Sequence, residues 1–499
     1  MTTMQSATAW RIGILLGLLG GPLARADERD ELLAKADASV REAARRVEDD
    51  PSRPVFHVVP PAQWTNDPNG PLFFDGAYHL FYQHNPYGDR WGHMHWGHVR
   101  SQDLAHWEHL PIALWPSKAK GEEHVFSGCA VIDRNGKPML FYTSIGDRLP
   151  EQWAAVPEDD GLIKWKKHPA NPILTEALHG GVKIHEWRDP FSFHEQGRTY
   201  MVLGGNLNGS KGGEAVVTVY RAEDDGLTRW AYLGVLFRHP DAGVKNIECP
   251  NFFRIGEKWV LIVSQGMPVQ YFVGSLDPEA MRFRAERRGV LDGGDVYAPN
   301  GMEDPKGRRL LWGWVNGYQG GRGWQHCLTL PRVLSLGPDG LLVQEPAPEL
   351  QSLRGEHRVE EAVKLGETPH VLDRVRGNTL EILAEFERGD AESFGLEVLR
   401  SADGKRAVSI GLDGKSLEVA GTKAPLELRP DEALRLHVFL DRSVLEVYAN
   451  GRLCITRVVQ HEADDLGVAA FARGGAATLK GLDSWTLGSI WPERRRPGR

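Results

Sequence analysis

The stretch Leu72-Phe73-Phe74-Asp75-Gly76-Ala77-Tyr78-His79-Leu80-Phe81-Tyr82 reads as two short apolar runs joined by Asp-Gly. Aromatic side chains suit a pleated, half-buried surface, and Asp-Gly supplies the positive φ that a tight hairpin turn demands. The same texture continues from about residue 55 to 348. Met139 to Thr143, Tyr200 to Leu203, Val216 to Tyr220 and Trp259 to Val263 are short runs between clusters of Gly, Pro, Asn and Asp. No long helical period interrupts them. Many short strands at regular spacing mean a sandwich, a barrel or a propeller. The length is large for one sandwich and suits a propeller.

A second all-β texture follows residue 348. Thr379 to Phe386, Phe394 to Leu399, Ala407 to Leu412 and Leu434 to Leu440 alternate with period two. Asn450-Gly451 is a hairpin signal between Leu445–Ala449 and Leu453–Val459. A β-sandwich is expected there. Of the 16 tryptophans, 13 fall between residues 54 and 348, which places any glycan site in the first domain. Large aromatics filling the blades would give the same skew.

Residues 1–26 read as a signal peptide. Arg11 precedes the apolar run Ile12 to Leu19, and Ala24-Arg25-Ala26 has the small residues of a cleavage site. That run is too short to span about 30 Å of hydrocarbon. A secreted or periplasmic protein with no other membrane attachment is expected. Leu33, Ala36, Val40, Ala43 and Val47 recur at helical spacing until Pro51 and Pro54 break the pattern. The expected map is a signal peptide over 1–26, a helical extension over 27–54, a propeller over 55–348, a linker over 349–356, a sandwich over 357–488 and a basic tail over 489–499.

The formal charge is −8, and the one basic run read from sequence is Arg494 to Arg496. A nucleic-acid partner is not expected from that balance, whereas a neutral sugar is compatible with it. Cys129, Cys249, Cys327 and Cys454 form no C-x-x-C pair, so a zinc ribbon is excluded and one or two bridges stay open. His93, His95 and His98 are the one cluster with a metal-like look. His98 falls on the opposite strand face and no carboxylate completes the set, so no metal and no cofactor are expected. The sequence leaves the oligomeric state open.

Three carboxylates stand in restricted backbone. Asp67 lies in Trp64-Thr65-Asn66-Asp67-Pro68-Asn69-Gly70, Asp189 in Trp187-Arg188-Asp189-Pro190 and Glu248 in Glu248-Cys249-Pro250. Each is followed within two residues by proline, which fixes the local chain. Rigid carboxylates among aromatics fit glycoside hydrolysis, which needs a proton donor and a nucleophile or base. Each motif alone is also a common structural turn.

Taken in order, these motifs resemble glycoside hydrolase family 32, the β-fructofuranosidases. The resemblance includes Phe81-Tyr82-Gln83-His84-Asn85-Pro86, Trp91-Gly92, His95 to His98, Phe126-Ser127-Gly128, Trp312-Gly313-Trp314, Trp324 and Leu330-Pro331-Arg332. It extends into the second domain at Phe439 to Asn450 and covers roughly residues 55–488. It implies an all-β fold, a five-bladed β-propeller followed by a C-terminal β-sandwich that supports it. It implies Asp67 as nucleophile, Glu248 as acid/base and Asp189 as transition-state stabiliser. It implies Asn66, Gln83, Trp91, Phe126, Ser127, Arg188 and Trp324 as substrate contacts. The substrate would be sucrose or a fructan, with fructose released by double displacement. Burial and the charge of Asp67 are expected to keep Glu248 protonated. Asn251, where an Asp is common, is expected to affect the acid/base; Cys249 is expected to pack beside Glu248, a bridge being the other reading. An inverting five-bladed glycosidase, a fructosyltransferase and a non-catalytic glycan-binding protein are the competing readings.

Overall fold

The computed structural model describes residues 28–209 and 212–492. The expected signal peptide and the Arg494 to Arg496 run lie outside the described residues. Within them, no helix is long and apolar enough to cross a membrane.

Five antiparallel sheets follow one another along the first domain. Their innermost strands are Gln63–Phe74, His124–Ile132, Ile184–Glu195, Glu248–Ile255 and Val296–Glu303, in blades 1 to 5. Each blade runs outward strand by strand in chain order. The Leu72 to Tyr82 stretch forms a hairpin with Phe74 opposite Ala77, and both turn residues have positive φ, Asp75 at 46° and Gly76 at 79°. The ring closes where Trp324-Gln325 pairs in parallel with Gln63-Trp64 of blade 1.

The outermost strand of blade 4, Arg282–Val290, holds Arg282, Arg284, Arg287 and Arg288, all exposed. Arg494 to Arg496 is therefore not the only basic run, as the sequence reading had it. Charges on an edge strand discourage pairing with another chain.

The second domain is two packed sheets, one of seven strands and one of six. Asn450 and Gly451 both have positive φ (51° and 65°), as a type I′ hairpin requires. The chain is thus all-β, a five-bladed propeller followed by a sandwich. One helix, Glu28–Val47, precedes it. Its Ala43, Ala44 and Val47 pack with Val59, Ala62 and Trp324. After the sandwich the chain returns to blade 1. Ile490 accepts a bond from the Trp107 N–H at 2.8 Å, and Trp491 stacks on His109 with ring centroids 3.9 Å apart.

Buried charge joins the two domains. His57, fully buried, lies 2.9 Å from Asp441 and 3.1 Å from Glu446, both in the sandwich. The Asp441 carboxylate also accepts the backbone N–H groups of Val55, Phe56 and His57. Arg332 of blade 5 donates to Glu446 at 2.7 Å and to Asp292 at 3.0 Å. These partners are far apart in sequence, so the network exists only once both domains are folded and docked.

Candidate active site

All five innermost strands are irregular near the same end. Register shifts fall between Thr65 and Pro68, between Val125 and Gly128, opposite Arg188 to Phe191, between Glu248 and Asn251, and between Tyr297 and Asn300. A bulge bends its strand and re-aims side chains. In blades 3, 4 and 5 the same device recurs as Arg188-Asp189-Pro190, Glu248-Cys249-Pro250 and Tyr297-Ala298-Pro299. The middle residue of each has positive φ, at 63°, 45° and 45°. For a non-glycine residue this costs energy that the surrounding structure must hold in place. Blade 2 has no positive-φ residue at its bulge, and there a glycine allows a close backbone approach. A Cβ on Gly128 would meet Phe141 O at 1.9 Å.

These bulges bring the three carboxylates together. Cys249 links two of them: its Sγ lies 3.6 Å from Asp67 Oδ2 and 3.5 Å from Asp189 Oδ2, and its N–H donates to Asp189 Oδ2 at 2.9 Å. Arg188 links the other pair, donating to Glu248 Oε1 at 2.6 Å with its Nε 3.7 Å from Asp189 Oδ2. All four cysteines are unbridged and buried, so the disulfide reading of Cys249 is set aside. Its thiol packs between Asp67 and Asp189.

Asp67 accepts Ser127 Oγ at 2.5 Å and Asn66 Nδ2 at 2.9 Å. Gln83 donates to Ser127 Oγ at 2.9 Å, and the Trp64 indole fixes Asn66 by donating to its Oδ1 at 2.7 Å. Burial pushes the Asp67 pKa up, the Ser127 and Asn66 bonds oppose that, and the Glu248 charge adds to it. Asp189 is raised to about 6, chiefly by burial, against the Arg188 cation. Glu248 is not buried as expected: its side chain is 32% exposed, while those of Arg188 and Asp189 are 15% and 6%. Instead both of its oxygens are held, Oε1 by Arg188 and Oε2 by the Tyr297 hydroxyl at 2.9 Å. The Gly266 N–H donates to Tyr297 Oη at 3.3 Å, which leaves that hydroxyl as donor to Glu248.

Trp91 stands at the rim, 52% exposed, with its ring 4.9 Å from His124 and 6.2 Å from Phe126. Trp324 is not brought to the carboxylates. It is 1% exposed, its indole donates to Asp50 at 2.7 Å, and the N-terminal helix seals it. Half-buried Trp314 lies nearer the carboxylates, 6.3 Å from Tyr297 and 6.2 Å from Trp64 by ring centroid. Tyr297 and Trp314 are the residues that sequence reasoning missed. The spacing of Tyr297-Ala298-Pro299 matches Glu248-Cys249-Pro250 and could have flagged the tyrosine.

Asn251 does not face Glu248. Its amide donates to Pro299 O at 2.8 Å and accepts Gly301 N–H at 2.9 Å, tying blade 4 to blade 5. An aspartate there would lose the first bond. The three histidines also part: His98 bonds His79 at 3.0 Å, while His95 turns to the carbonyl of His93.

The Glycosyl hydrolases family 32 N-terminal domain model matches residues 57–346, and the family's C-terminal model matches residues 349–486. The chain belongs to glycoside hydrolase family 32. It is a glycoside hydrolase of the β-fructosidase type. It is 31% identical to the levanase of Bacillus subtilis over 504 residues, covering 89% of this chain and 71% of that one. It is 30% identical to the sucrose-6-phosphate hydrolase of Zymomonas mobilis over 502 residues, covering 91% and 96%. The fructan 1-exohydrolase IIa of Cichorium intybus shares its fold with a TM-score of 0.80 at 24% identity, covering 88% and 98%. The GH32 β-fructofuranosidase of Bombyx mori gives 0.77 at 26% identity, covering 93% and 100%.

Proposed function

We propose that this chain is an exported, retaining exo-β-fructosidase that removes terminal β-D-fructofuranosyl units from fructans, sucrose or both. The observation that carries the mechanism is the three-carboxylate cluster, in which one thiol touches Asp67 and Asp189 while one guanidinium bridges Glu248 and Asp189. Asp67 attacks the anomeric carbon. Its lone pairs are aimed by Ser127 and Asn66, which favour the carboxylate over its acid. Glu248 protonates the departing oxygen, then takes a proton from the water that releases fructose. Retention needs the two carboxyl groups about 5–5.5 Å apart. Asp189 accepts bonds from fructose hydroxyls and steadies the oxocarbenium-like transition state.

Arg188 and Tyr297 have a second consequence. Both are donors, and between them they occupy the two Glu248 oxygens. Delivery of a proton to the leaving group requires one of these contacts to yield when substrate arrives. Trp91 and Phe126 supply apolar faces at the rim, and Gln83, through Ser127, supports the nucleophile. Export rests on the Arg11 to Ala26 pattern. The test is to follow sucrose, inulin and levan by chromatography, with the anomer of the first-formed fructose read by NMR. Free β-fructose is expected from all substrates that are cleaved, with an equal amount of glucose from sucrose and no intermediate oligosaccharides from the polymers. Oligosaccharides from the polymers would contradict exo action, α-fructose would contradict retention, and fructose transfer to added sugar in place of hydrolysis would favour a transferase.

A further inference from the structure

The N-terminal helix walls a cleft of about 740 Å³ whose lining includes none of Asp67, Asp189 and Glu248. Arg29, Leu32 and Lys35 of the helix face Lys118 and Lys120, which follow blade 1, and Lys166 and Lys167 at the end of blade 2. Among the described residues, every charged side chain lining the cleft is basic, in a chain of formal charge −8. Carboxylates just outside offset some of this charge: Glu158 pairs with Arg29 and Lys166, Glu123 with Lys118, and Glu122 with Lys167. Among the described residues Lys35 and Lys120 have no ion-pair partner. Leu32 and Tyr87 add apolar surface, each 38% exposed. Sugar-binding sites combine such faces with a few convergent polar groups, and this volume is ordinary for a small-ligand pocket.

The cleft shares a wall with the catalytic mouth. Tyr87 lies against His93 and His95, with ring centroids 5.9 and 5.8 Å away, on the cleft side of the loop between residues 86 and 94. The other side of that loop presents Trp91 to His124 and Phe126. The helix itself precedes the part of the chain that the family model matches, which begins at residue 57.

We propose that this cleft binds an acidic oligosaccharide, one whose sugar rings bear carboxylates. Lys35 and Lys120 pair with the carboxylates while Tyr87 and Leu32 pack a ring face. Occupancy braces the loop that carries Trp91. The neutral fructosyl chain and the acidic chain thus have separate sites on the two sides of one loop.

The test is calorimetric titration of the full chain with trigalacturonate, with maltotriose and inorganic phosphate as the neutral and the simple-anion controls. Saturable binding of trigalacturonate is expected, weakening with added salt. The double variant Lys35→Gln/Lys120→Gln is expected to lose roughly tenfold or more in affinity. Its hydrolysis of sucrose in the absence of acidic sugar should be unchanged. No saturable binding, equal affinity in the variant, or phosphate bound as tightly as trigalacturonate would each overturn the proposal. Binding is read directly, so the result does not depend on whether the fructosidase reading holds.

Discussion

Two buried carboxylates, Asp189 at the propeller centre and Glu446 at the domain joint, are displaced in opposite directions. Burial lifts Asp189 to about 6 despite the neighbouring Arg188 cation. Burial acts on Glu446 as well, yet Arg332, His57 and the Leu330 N–H hold it at about 2. The difference lies in the partners. Glu446 also accepts the Tyr448 hydroxyl, and its network neighbour Asp441 accepts three backbone N–H groups. Asp189 accepts one N–H, from Cys249, and shares its surroundings with Asp67 and Glu248. The carboxylates of the joint are satisfied from within the protein. The three-carboxylate cluster keeps free acceptor capacity and is less stable for it.

Breaking the satisfied network has the largest expected effect on stability. Arg332→Met strands Asp292 and part of Glu446, and should cost about 3–5 kcal/mol in denaturant unfolding. Activity per folded molecule should persist, since Arg332 belongs to the joint. Asp189→Asn sharpens the comparison from the other side. Fructose release should fall roughly 10²–10³-fold. The thermal midpoint at pH 7–8 should rise, because a carboxyl with a raised folded pKa weakens the fold above that pKa and an amide does not ionise. A lower midpoint would mean that the Asp189 charge is already well compensated.

Ser127→Ala removes one of the donors that oppose the upward pull of burial on Asp67. A loss of about tenfold in kcat/KM is expected. The acid limb of the pH profile should also move upward, since losing a bond to the carboxylate raises its pKa further. The smallest effect is on the pH dependence of the joint. His57 is raised to about 9 by Asp441 and Glu446, against the opposing pull of burial. Its contribution to stability is complete below its unfolded pKa of about 6.5 and fades as pH rises through 9. Glu446 contributes above about 4.3 and loses its contribution as pH falls through 2. Chemical denaturation as a function of pH should show both edges, and His57→Gln should erase the alkaline one.

The blades and the sandwich were legible because strand texture and turn chemistry are local: Asp75-Gly76 and Asn450-Gly451 each fold where their own residues dictate. The three carboxylates that meet at the propeller centre were legible through the prolines that follow them. Tyr297 was not, because nothing in Tyr-Ala-Pro is ionisable near neutrality and its value comes from Glu248 in another blade. Trp324 was misplaced because motif order cannot tell which indole the N-terminal helix will cover. Glu248 was expected to be buried, whereas the ring of bulges leaves it at the mouth, held by Arg188 and Tyr297. Arg332 and the Phe439 to Asn450 stretch stood among the motifs, but nothing local in the sequence says that they meet His57, which reaches Glu446 across 389 residues.

The most direct test is fructose release by Asp67→Asn, measured beside near-UV circular dichroism of the same sample. With Asp67 as nucleophile, turnover should fall on the order of 10⁴-fold or more while the aromatic spectrum stays that of the parent chain. A folded Asp67→Asn protein with ordinary turnover would contradict the account.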